Sequence, residues 1–200
     1  MTIYEYGKDN RNVIVLIHPS LVTWDYFEYV VPFLEQDNHL LIPALPGYDL
    51  TDDSDFSSVE KIASELADEL MQKGIREVKA VYGCSMGGSI VLRMAVDRKL
   101  KVQNYILDGG ITPYQLPWIL TRFIALKDFG MMALGKLGGE KMIIKAFSST
   151  EYSEEDLKYM KKFVPNTHFK SFEGIDHGDM ALFYPELLAE EIRAAALLSG

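Results

Sequence analysis

Residues 78–88 are VKAVYGCSMGG, and the fold prediction rests on this stretch. The run 78–82 is short, apolar and rich in Val, which is typical of a buried β-strand. A helical pattern begins directly at Met86, so the strand passes into a helix across three residues. The apex of so tight a turn tolerates almost no side chain two residues before it or two residues after it, and here Gly83 and Gly87 occupy those positions. The stretch therefore predicts a strand, a sharp turn and a helix, with Ser85 at the apex.

A serine at such an apex has the setting of a nucleophile. The predicted backbone of Ser85 is strained, and the hydroxyl lies at the N-terminus of a helix. Free backbone N–H groups and the positive end of the helix dipole can stabilise negative charge on a reacting oxygen there. Cys84, next to it, is interpreted as a small buried side chain.

On both sides of this turn, short apolar runs alternate with amphipathic segments. The runs are too short for helices and predict strands at 13–17, 39–42, 78–82 and 102–107. The amphipathic segments predict helices at 24–35, 57–73, 86–98 and 184–198, and Ser57 with Glu60 forms a capping box for the second of them. Strands that alternate with helices predict a parallel sheet in one domain spanning residues 1–200.

Composition excludes several classes of function. The 20 Lys and Arg against 29 Asp and Glu give a net charge of −9, which disfavours nucleic acid and anionic membranes as partners. No apolar stretch is long enough to cross a membrane, and residues 1–12 lack a secretory pattern, so we expect a cytoplasmic protein. Neither a phosphate-binding loop nor a cluster of metal ligands is present in the sequence, and we expect no cofactor and no metal.

Four stretches together resemble the landmarks of the α/β-hydrolase superfamily: residues 13–20, 83–88, 107–110 and 174–177. The resemblance covers nearly the whole chain and implies a three-layer α/β fold, with a mostly parallel sheet between helices. It also implies that the backbone N–H groups of Ser20 and Met86 form an oxyanion hole. Pro19 replaces the glycine usual in that family, so we expect the loop that carries Ser20 to take a different path. His18 is expected to hold this loop through local hydrogen bonds.

A serine hydroxyl needs a base to remove its proton, and His177 is the candidate. It lies in a loop bracketed by Gly174 and Gly178, between an expected strand at 169–172 and the last helix, where family members carry their histidine. His39 and His168 flank strands in polar company and are interpreted as surface residues.

The carboxylate that would orient the imidazole has two candidates. Glu151 follows a plausible strand at 142–148 and fits the family's usual order of serine, acid and histidine; it is the favoured one. Asp108 ends the strand after the nucleophile, where some α/β-hydrolases keep their acid. Each has a structural alternative, because Asp108 precedes two glycines as turn formers do and Glu151 could open a helix at 153–163.

Residues 111–140 predict a reduced helical cap within the domain. Their apolar side chains could roof an acyl pocket, cover the sheet, or mediate formation of a homodimer. The function expected first is hydrolysis of a small carboxylic ester or thioester through an acyl-enzyme. The alternatives are a small-ligand binder without turnover and a different reaction on the same scaffold, such as acyl transfer.

Overall fold

The structure is a computed structural model that describes residues 1–49, 51, 53–109, 170 and 172–197. The predicted cap at 111–140 and Glu151 lie outside the described residues. So do His168, the expected strand 142–148 and the expected helix 153–163. The chain divides into two compact units, Met1–Gly110 with Gly178–Gly200, and Ile111–His177.

The first unit contains a five-stranded sheet. Its strands are β1 (Ile3–Tyr6), β2 (Val13–Ile17), β3 (His39–Pro43), β4 (Glu77–Cys84) and β5 (Lys101–Asp108). They lie in the order β1-β3-β2-β4-β5, and all pairs are parallel except β1 with β3. The four predicted strands are therefore confirmed. The edge strand β1 was missed because all four of its residues are half-buried and show no alternation of apolar and polar positions.

Helices cover both faces of this sheet. They are a 3₁₀ helix (Trp24–Phe27), α1 (Val31–Leu34), α2 (Val59–Gln72), α3 (Met86–Asp97), α4 (Asp179–Phe183) and α5 (Pro185–Leu197). Helices α2 and α3 pack with the side chains of one sheet face, which include Val15, Ile17 and Val81. Helix α5 contacts β4, β5 and α1, and Phe27 meets the ring of Tyr82 edge-on at 5.9 Å. The predicted three-layer α/β arrangement is confirmed.

Two helix predictions need correction, and one helix was missed. The helix expected at 24–35 is two short pieces, because Pro32 lacks an N–H and its ring would clash with the carbonyl four residues earlier in a continuous helix. The cap of α2 is Ser58 rather than Ser57: the Ser58 hydroxyl accepts a hydrogen bond from the Lys61 N–H at 3.2 Å. The short helix α4 before Pro185 was not predicted.

His39 was interpreted as a surface residue, and this was wrong. Its side chain is only 14% exposed and lies at the start of β3, with Nε2 3.1 Å from Glu5 Oε2 on the neighbouring strand β1. Lys73, at the end of α2, donates to the same carboxylate at 2.8 Å, and this hydrogen bond is the main reason that the pKa of Glu5 is lowered. The cluster joins β1, β3 and α2 at the edge of the sheet.

Candidate active site

Ser85 forms the turn between β4 and α3 with a backbone that serine rarely adopts. Its φ is +52° and its ψ is −113°, and a non-glycine residue with positive φ outside the ordinary left-handed region stores strain of about 1–3 kcal/mol. Two main-chain hydrogen bonds hold the turn: the Ser85 N–H donates to the Asp108 carbonyl at 2.8 Å, and the Ser89 N–H donates to the Ser85 carbonyl at 3.2 Å. The side chain is largely buried, with 6% of the residue exposed. The predicted apex is confirmed.

Gly83 and Gly87 leave no space for a side chain, because backbone atoms lie too close to each of them. A Cβ on Gly83 would lie 2.3 Å from the backbone carbon and oxygen of Gly87. One on Gly87 would lie 2.2 Å from the carbonyl oxygen of Ile17 and 2.9 Å from that of His18. The first contact closes the turn around Ser85, and the second brings the start of α3 against the end of β2.

The same approach bears on the two predicted oxyanion donors, because it brings the helix that begins at Met86 against the strand that precedes Ser20. Met86 is the first residue of α3, and the first N–H groups of a helix have no carbonyl partner within it. Ser20 lies three residues after the end of β2, the strand that Gly87 touches. The donor roles of Ser20 and Met86 stay predictions.

His18 holds this loop, as expected from the sequence. The residue is fully buried, its Nδ1 lies 2.7 Å from the Pro19 carbonyl oxygen, and its Nε2 lies 3.4 Å from the Leu45 nitrogen. A carbonyl can only accept and a backbone N–H can only donate, so Nδ1 carries the proton and Nε2 accepts. Burial lowers the pKa of the imidazole, which keeps it neutral. His18 is thus a structural residue that ties the loop after β2 to the loop after β3.

The loop that carries Ser20 contains a second strained residue. Leu21 has a φ of +68°, and its side chain is 93% exposed. A left-handed backbone conformation is unfavourable for a branched apolar side chain. Because this side chain is exposed to water, no hydrophobic burial offsets the strain. The strained residue of the loop after β2 thus lies two residues after Pro19, the position that departs from the family pattern.

Asp108 ends β5 beside the nucleophile turn, opposite Cys84 in the register of β4 and β5. Its carboxylate accepts a hydrogen bond from the hydroxyl of Tyr82, a fully buried residue whose pKa is raised, first of all by burial. The Asp108 backbone carbonyl accepts a hydrogen bond from the Ser85 N–H, so both the main chain and the side chain of Asp108 are hydrogen-bonded. Cys84 is buried, and burial raises the pKa of its thiol, which fits the expected inert side chain.

His177 is the last residue of the second unit. Gly174 and Gly178, which bracket its loop, both have positive φ, of +76° and +83°. This conformation is the reason for glycine at both ends of the loop. Of the strand expected just before the loop, the two described residues, Lys170 and Phe172, are not in a strand.

One buried polar residue near the nucleophile was missed by the sequence analysis. Tyr26 lies in the 3₁₀ helix after the Ser20 loop, and its hydroxyl contacts both Cys84 and Gly178. An aromatic residue in an amphipathic segment is typical of an ordinary core position, and no pattern in the sequence marks this one as different.

Residues 14–192 match the alpha/beta hydrolase family. The chain belongs to the alpha/beta hydrolase family. No curated protein matches the sequence. Among solved structures, this hydrolase is similar to an alpha/beta hydrolase family protein from Desulfitobacterium hafniense, with 19% identity over 96% of this chain and 99% of that one and a TM-score of 0.67.

Two further structures show the same hydrolase fold. One is a lipase-esterase related protein from Clostridium acetobutylicum, at 18% identity over 97% of this chain and 98% of that one, with a TM-score of 0.67. The other is an esterase from Exiguobacterium antarcticum, at 18% identity over 96% and 71% of the two chains, with a TM-score of 0.53. At these identities the likeness concerns the fold.

Metal-binding groups and membrane-spanning helices are both absent from the part of this hydrolase that the structure describes. Within residues 1–49, 51, 53–109, 170 and 172–197, no group of three or more His, Cys, Asp or Glu side chains could hold a metal ion. None of the helices in that part of the chain is long and apolar enough to span a membrane.

Proposed function

We propose that this alpha/beta hydrolase is a serine hydrolase that acts on a small carboxylic ester or thioester through an acyl-enzyme. The observation that carries the proposal is the backbone of Ser85, at φ +52° between β4 and α3. Strain of this kind persists where the surrounding structure enforces it, and it serves here to present one hydroxyl at a helix N-terminus.

In the proposed reaction, the Ser85 Oγ attacks the carbonyl carbon of the substrate while His177 removes its proton. The N–H groups of Ser20 and Met86 stabilise the oxyanion of the tetrahedral intermediate. His177 then protonates the leaving alcohol or thiol, and a water molecule, deprotonated by the same histidine, releases the acyl group as an acid. Apart from that water molecule, the proposed chemistry uses only side-chain and backbone groups of this chain.

For the acid that orients His177, the sequence order favours Glu151, and the described structure adds support for Asp108. Asp108 lies beside the nucleophile turn, where the Tyr82 hydroxyl donates to its carboxylate, and a carboxylate has enough lone pairs to accept from an imidazole as well. The variants Glu151→Gln and Asp108→Asn separate the two, because loss of the true acid lowers kcat by a factor on the order of 10⁴. Wild-type activity in both variants would exclude both candidates.

The nucleophile is tested with a fluorophosphonate probe followed by peptide mapping. We expect label on Ser85 that Ser85→Ala abolishes. Ser89, one turn further along α3 in the same segment, gives the matched control: Ser89→Ala should keep the label and the rate of p-nitrophenyl acetate hydrolysis. Native protein that takes no label and turns over no ester would overturn the proposal and favour a small-ligand binder on the same fold.

A further inference from the structure

Tyr26 is a buried residue whose polar end has no part in the reaction proposed above. Only 5% of it is exposed, and its ring packs edge-on against Phe27, with centroids 4.9 Å apart. The hydroxyl donates to the carbonyl oxygen of Gly178 at 2.6 Å and lies 3.9 Å from Cys84 Sγ. A buried hydroxyl is costly to leave without a hydrogen-bond partner, so these contacts decide where the Tyr26 ring can sit.

The two residues that Tyr26 contacts each adjoin a residue of the proposed reaction. Cys84 directly precedes Ser85, and Gly178 directly follows His177. One hydroxyl thus links the end of β4 to the residue after the histidine, and its bond from Tyr26 to Gly178 spans 152 positions of sequence. The contact with Gly178 is the shorter of the two and is made to a main-chain atom, so it acts on the backbone of the loop rather than on a side chain.

The local structure suits a hydroxyl that acts only as a donor. Burial raises the pKa of Tyr26, so the phenol stays protonated across the physiological range. Gly178 has a φ of +83°, and a Cβ there would lie 3.7 Å from the Tyr26 oxygen. Glycine therefore supplies the left-handed turn that aims its carbonyl at the phenol.

We infer that Tyr26 is a positioning residue, which holds the backbone at Gly178 and thereby sets the reach of the His177 imidazole toward Ser85. The inference rests on the proposed function and deepens it. A misplacement of about 1 Å in a reacting group can cost a factor of about 10² in rate, so a single hydrogen bond to the adjoining peptide has a large effect on catalysis.

The test is Tyr26→Phe, which removes one oxygen atom and leaves the ring. We expect kcat for p-nitrophenyl acetate to fall by about 10- to 100-fold with KM changed less than about twofold. The rate of fluorophosphonate labelling should fall by the same factor. The matched control is Tyr29→Phe, three residues along the same segment at an exposed position, which should leave both rates unchanged.

A double-mutant cycle separates positioning from general damage to the fold. If Tyr26 acts through His177, then Tyr26→Phe should have no further effect on the residual rate of His177→Ala. The inference would be overturned if Tyr26→Phe lowered the rate by a similar factor with and without His177→Ala. It would also be overturned if the wild-type protein takes the label and Tyr26→Phe alone leaves kcat unchanged. Wild-type protein that takes no label overturns the proposed function, and this inference with it.

Hydrogen exchange of residues 174–184 should be faster in Tyr26→Phe, and unchanged exchange there would also count against the inference.

Discussion

Replacing Gly83 by alanine tests the claim that packing, rather than backbone conformation, requires glycine before the nucleophile. The new Cβ would lie 2.3 Å from two backbone atoms of Gly87, whereas real Cβ atoms essentially never approach closer than 3.0 Å. The strand end and the helix start must therefore separate by about 0.7 Å, and neither is a flexible side chain. Overpacking of this kind costs about 3 kcal/mol or more, out of a total stability of about 5–15 kcal/mol.

Gly74→Ala is the matched control for this experiment. Gly74 has a φ of +85°, and a Cβ added to it would have no atom within 4 Å, so alanine there meets only backbone strain. We expect a loss of about 1 kcal/mol for that variant. Urea unfolding followed by circular dichroism measures both losses, and fluorophosphonate labelling of Gly83→Ala reports whether Ser85 keeps its position. A Gly83→Ala protein less destabilised than Gly74→Ala would refute the steric account.

The remaining predictions concern strain, capping and pH. Ser85→Gly should remove the label and raise the free energy of unfolding by about 1 kcal/mol, because glycine adopts the φ of the turn without strain; an unfolding free energy below that of wild type would contradict this. Leu21→Gly should likewise raise it by about 1 kcal/mol in urea unfolding. Ser58→Ala should lower it by about 1 kcal/mol, and Ser57→Ala should not. The folded pKa of His18 is below its unfolded value, so the unfolded state takes up the proton first as pH falls, and stability should drop below about pH 6.5 by more in wild type than in His18→Asn.

Prediction from sequence succeeded where neighbouring residues alone carry the constraint. Strand β2 was predicted with its observed bounds, Val13–Ile17, and Ser85 was placed at the apex between β4 and α3. Prediction failed where the sequence signal was weak or where two neighbouring residues fitted it equally well. Two adjacent serines compete to cap α2, and only the backbone path chooses Ser58.

The order of strands and helices and the tight turn at Ser85 follow from local sequence, because the period of apolar residues and the sterics of Gly83 and Gly87 act over a few positions. Which distant groups meet depends instead on how whole elements pack. The bond from Tyr26 to Gly178 and the bond from Leu45 to His18 join residues far apart in the chain. A hydroxyl or an imidazole can bond with many different groups, so no local pattern names its partner before the elements have packed.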